Sequence, residues 1–101
     1  MKALDLYHHF VAVIDRAFDD RDIYAVSIAA ETAGMSGGEE RRGMGQRWNY
    51  HFTDGNDQTI EVHARWWDQS QAFSIQPDMH VMSVELKTLV PPMRYERRFE
   101  E

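Results

Sequence analysis

Residues 47–66 read Arg47-Trp48-Asn49-Tyr50-His51-Phe52-Thr53-Asp54-Gly55-Asn56-Asp57-Gln58-Thr59-Ile60-Glu61-Val62-His63-Ala64-Arg65-Trp66, and their alternation decides the fold. Apolar side chains recur at every second position on both sides of a segment, 53–57, that is rich in turn formers. That is the pattern of two strands joined by a tight connection. Trp48, Tyr50 and Phe52 must share a face with Ile60, Val62, Ala64 and Trp66. Only an odd-numbered connection achieves this, because a slip of one residue turns every side chain over. Three or five loop residues are predicted, with Gly55 or Asn56 at positive φ.

Upstream, Tyr7, Phe10, Ile14 and Phe18 form one stripe at helical spacing, and no Pro or Gly interrupts residues 3–20. An amphipathic helix packed on the sheet is predicted there. In residues 23–30, Tyr24, Val26, Ile28 and Ala30 alternate with smaller residues. A strand is the first reading and a continued helix the second. Residues 34–45 hold five of the six glycines and read as a loop. Downstream, a short strand is expected near 72–76. Residues 79–90 fit a strand better than a helix, because Val81, Val84, Thr88 and Val90 are β-branched. Pro91 and Pro92 end that element, and residues 94–101 read as a frayed charged tail. The expected architecture is α+β: one N-terminal amphipathic helix on a four- to five-stranded antiparallel sheet, with a single domain over 1–93.

The chain has 101 residues, a formal net charge of −6 and no cysteine. Disulfides and thiolate metal sites are thereby excluded, and the balance points to the cytoplasm. The acidic field disfavours direct nucleic-acid or membrane binding and favours a basic protein surface. Asp5, His8 and His9 interrupt any apolar core near residue 1, so no signal peptide is expected.

Motifs that carry chemistry are absent from the sequence. No serine sits in a GxSxG turn, no GxxxxGK[ST] loop occurs, and no HExxH spacing is present. His51 and His63 fall on the outer face of the hairpin but out of direct register, too far apart for one ion, and His8 and His9 point in different directions on a helix. Neither an enzyme, a metal nor a cofactor is expected.

Two surface features point to a partner. Asp15, Asp19 and Asp22 lie on one helical face near its C-terminal end, where negative charge is disfavoured by the macrodipole and by mutual repulsion. Trp67 follows Trp66, so parity turns Trp67 outward beside Arg65, the composition of an interface hot spot. Arg41 and Arg42, flanked by Glu39 and Glu40, are a further candidate grip for an acidic group. The reading that follows is a small, acidic, non-enzymatic module that occupies a surface of a larger, nucleic-acid-handling protein, as an inhibitor in phage anti-defence (anti-CRISPR-like) or a toxin-immunity protein would. The alternatives are a ligand-binding or catalytic cavity lined by Tyr7, Trp48, Tyr50 and Met82, and a structural homo-oligomer, a homodimer included.

Overall fold

The hairpin forms as the parity argument requires. In the computed structural model, which describes residues 1–20, 22, 24–42, 45–67 and 81–98 (the side chains of 40–42, 45, 46, 66 and 67 excepted), β2 runs Gly45–Thr53 and β3 runs Thr59–Trp67. Their register pairs Thr53 with Thr59, Phe52 with Ile60, Tyr50 with Val62 and Trp48 with Ala64. Residues 54–58 remain as a connection of five, an odd number. The Asp54 amide donates to the Gln58 carbonyl at 3.0 Å, and the Asp57 amide donates to the Asp54 carbonyl at 3.2 Å. The positive φ falls at Asp57 (59°) instead of Gly55 or Asn56. Aspartate tolerates this region because its short polar side chain bonds locally.

Five strands form one antiparallel sheet in sequential order, β1-β2-β3-β4-β5. β4 is Val81–Leu86, the strand expected from its β-branched residues. One face of the sheet carries Trp48, Tyr50, Ile60, Val62, Met82, Val84 and Leu86, all buried. Helix α1, Ala3–Asp20, lies across this face over β3, β4 and β5. It buries Leu6, Tyr7, Phe10, Ile14 and Ala17 against it, while Phe18 packs at the margin. Fully burying side chains of this size contributes about 1.5–3 kcal/mol each. None of the helices among the described residues is long and apolar enough to cross a membrane.

Three elements depart from the sequence reading. The segment expected as a strand over 23–30 contains helix α2, Ala25–Thr32. The alternation that suggested a strand arises because Val26 and Ala30, one helical turn apart, are both buried. Alanines at 25, 29 and 30 supply the helix propensity. Gly34 at φ 73° ends the helix: its amide donates to the Glu31 carbonyl and the Met35 amide to the Ala30 carbonyl, both at 3.0 Å. This is the Schellman arrangement, and buried Met35 and Ala30 stand where its apolar contact belongs.

The supposed glycine loop is largely β1, Ser36–Arg42, an edge strand paired with β2. Glycine here allows close approach: a Cβ on Gly37, at φ 128°, would stand 2.0 Å from the Asn49 carbonyl oxygen. The supposed tail contains β5, Met93–Arg98, paired with β4 from Val81–Arg98 to Leu86–Met93. A boundary after residue 93 would therefore cut a strand. Charge hid its alternation, since Arg97 takes an inward position beside Met93 and Tyr95. The strand expected near 72–76 lies outside the described residues.

Replacing Gly37 by Ala is expected to destabilise the protein by about 2–3 kcal/mol, because both its φ and the space for Cβ are unfavourable. Urea unfolding of the variant measures this, and Gly38→Ala, where a Cβ meets nothing within 4 Å, serves as the comparison.

Candidate docking groove

Helices α1 and α2 pack side by side and leave a groove of about 660 Å³ between them. Leu6 and Val13 of α1 and Ala25, Ala29 and Ala33 of α2 line it with apolar surface. Ile28 stands on the α2 side and is 60% exposed, and Met1 at one end is 79% exposed. Asp5, His9, Arg16 and Asp22 add polar groups to the lining. A large β-branched side chain left in solvent beside a concave apolar surface is the arrangement that docking covers. Tyr24, just before α2, is 55% exposed, and its ring lies 5.6 Å from that of buried Trp48 on β2.

The residues singled out from sequence do not converge on this or any other single surface. Asp22 lies beyond the end of α1 and lines the groove. Asp19 is exposed on α1. Asp15 is committed inside the molecule: Tyr95 Oη donates to its Oδ1, and Arg97 Nη1 donates to the same oxygen at 2.9 Å. The Arg97 guanidinium also lies 5.1 Å from the centre of the Phe18 ring. This cluster joins α1 to β5 and removes Asp15 from the expected three-residue patch. Hydrogen bonds from Tyr95 and Arg97, with the arginine's charge, hold the Asp15 carboxyl below the usual carboxylate range.

Arg65 is exposed on the opposite face of the sheet, away from the helices. Trp67 ends β3 opposite Gly45. Its expected outward orientation, and the placement of the Trp66, Arg41 and Arg42 side chains, lie outside the described residues. Tyr7, Trp48, Tyr50 and Met82, suggested as a cavity lining, are instead packed in the core. Burial pushes the Tyr7 and Tyr50 hydroxyls above their ordinary pKa.

The outer sheet face carries a polar chain. The His63 ring lies between Asn49 and Glu61, with Nδ1 to Oδ1 at 2.6 Å and Nε2 to Oε1 at 3.1 Å. Glu61 also accepts from Lys87 Nζ at 2.6 Å, which lowers the Glu61 pKa. His51 faces Glu61 and His63 faces Asn49. The two histidines are thus diagonal neighbours, about 7–8 Å apart, closer than expected though still out of direct register. No group of three or more potential metal ligands occurs among the described residues. Comparison with protein-family models, with curated proteins and with solved structures gave no match.

The groove was not legible from sequence, because it needs α2 to be a helix lying beside α1. The available signal was Ile28, which takes no place in the Val26–Ala30 buried pair.

A carboxylate whose pKa is depressed in the folded state stabilises the protein above its unfolded pKa, and that stability is lost as pH falls through the folded value. Asp15 follows this rule, as do Glu61 and Asp54. Asp15→Asn should therefore lower stability at neutral pH and flatten its decline on acidification, so that variant and native chains converge as pH falls below the usual carboxylate range. Urea unfolding across that range checks this; parallel curves would show that the Tyr95–Asp15–Arg97 cluster contributes nothing.

Proposed function

We propose that this chain is a non-enzymatic protein-binding module that acts by occupying a surface of a larger partner, as an inhibitor or antagonist does. The observation that carries this reading is the open α1–α2 groove, with its apolar lining, exposed Ile28, and Asp5 and Asp22 in its wall. Two packed helices with an apolar cleft between them accept an amphipathic helix or loop from another protein. The net charge of −6 steers such an encounter towards a basic surface. A basic surface is what a nucleic-acid-handling protein presents. In that form the chain would act in the cytoplasm alongside phage anti-defence or toxin-immunity proteins.

Capture from host lysate tests the reading. The native chain should retain a protein at stoichiometric yield, and Ile28→Lys should weaken that complex by about 2 kcal/mol, roughly 30-fold. Its own unfolding should change by no more than about 0.5 kcal/mol, because Ile28 is already largely in solvent. Charge reversal at Asp19 and Asp22 should slow association and flatten its salt dependence. Stabilisation by a metabolite with no protein captured would instead make the groove a small-ligand site.

A further inference from the structure

The face of the sheet turned away from the helices holds an arrangement that the groove does not explain. Arg47 of β2 and Arg65 of β3 are direct cross-strand partners. Residues opposite each other in an antiparallel pair have Cβ atoms about 5 Å apart and project to the same side. Two like charges in that relation repel. The same row continues through Val81 of β4 to Arg98 of β5. Among the described residues neither Arg47 nor Arg65 makes an ion pair or hydrogen bond. The residue in register with Arg47 on its other side is Glu40, whose side chain lies outside the description, while Arg65 has only Arg47 and Val81 as direct partners.

Neighbouring carboxylates are already engaged. Glu96, in the adjacent row, accepts from Arg94 at 2.9 Å and Arg98 at 3.5 Å, and Glu61 is held by Lys87 and His63. Among the described residues, an acidic chain thus keeps a half-exposed and an exposed guanidinium group side by side without a counter-charge.

We infer that the Arg47–Arg65 pair is a binding site for a compact oxyanion of charge near −2, a phosphate that is free or a terminal monoester. Each guanidinium offers a planar fork of donors that matches such oxygens in bidentate fashion. One dianion between the forks turns their repulsion into two attractions. An extended polyanion fits less well, because Glu61, Glu85 and Glu96 stand one and two rows away and the whole chain is negative. The inference is independent of the groove, which lies on the opposite side of the sheet.

The test is titration of the full chain with inorganic phosphate and with phosphoserine, against chloride at matched ionic strength. The readouts are the arginine side-chain Nε–H signals and the thermal midpoint. Either probe should shift the Arg47 and Arg65 signals saturably and raise the midpoint; the tighter of the two identifies a free ion or a monoester. Arg65→Gln and Arg47→Gln should each cost about tenfold in affinity, and Lys87→Gln should cost none. Without phosphate, Arg65→Gln should melt above the native chain, since it removes a repulsion, and phosphate should narrow or reverse that difference. Unmoved arginine signals, unchanged binding in Arg65→Gln, or tighter binding of an oligothymidylate than of either probe would overturn the inference.

Discussion

The carboxylate of Asp54 closes the connection that sets the register of the sheet and also holds the helix that covers it. Its Oδ1 accepts from the Asn56 amide at 2.8 Å and the Gln58 amide at 3.0 Å, which fixes the five-residue loop. Its Oδ2 accepts from the Ala3 amide at 2.8 Å, the first residue of α1. A side chain distant in sequence thereby does the work of an N-cap, satisfying one of the amides a helix leaves unpaired and placing negative charge at the positive end of the macrodipole. Those amide bonds, the one from Ala3 foremost, hold the Asp54 carboxyl below its ordinary range. Loop register and helix position are in this way tied to one side chain, and a loop of four residues would invert the β3 side chains.

That coupling explains which parts of the fold the sequence exposes. The β2–β3 pair and α1 are legible because each buries one face and leaves the other in water, so period 2 and period 3.6 are written directly in polarity. Elements at the margins are not written so clearly. β1 has Gly37 and Gly38 where a strand would carry packing residues, and its identity as a strand comes from the Asn49 and Tyr50 backbone beside it. β5 places Arg97 on the inward face, where its stem and guanidinium cover Phe18 and reach Asp15. By polarity alone that residue votes for solvent. In α2, Val26 and Ala30 are core while Ile28 is not, so a pattern of alternating size misled where helical spacing should have been counted.

The candidate sites were harder to read for the same reason. Asp15, Asp19 and Asp22 look equivalent along the chain, yet tertiary pairing separates them: one is locked to β5, one is free on α1, and one lines the groove. Arg65 was visible as a surface cation, but its significance depends on Arg47, eighteen positions earlier, being its register partner. No local motif encodes that, whereas the loop parity does, because fixing Thr53 against Thr59 fixes Arg47 against Arg65.

The Tyr95–Asp15–Arg97 cluster also sets how sharply the molecule is divided electrostatically. α1 carries Asp5, Asp15, Asp19 and Asp20 against Arg16 alone. The last strand brings the opposite sign, with Arg94, Arg97 and Arg98 against Glu96. By drawing Arg97 inward to neutralise Asp15, the fold leaves Asp5, Asp19 and Asp20 against Arg16 on α1 and leaves Arg94 and Arg98 on the outer sheet face. The same three arginines guard β5, the last strand of the sheet among the described residues, against pairing with another strand. Were Arg97 to face outward instead, the acidic end of α1 would gain an uncompensated carboxylate over the sheet margin, and the outer face would gain a further cation. Packing that one arginine inward therefore moderates the contrast between an acidic helical layer and a partly basic sheet face, while the remaining charges of each still give the molecule two surfaces of unlike chemistry.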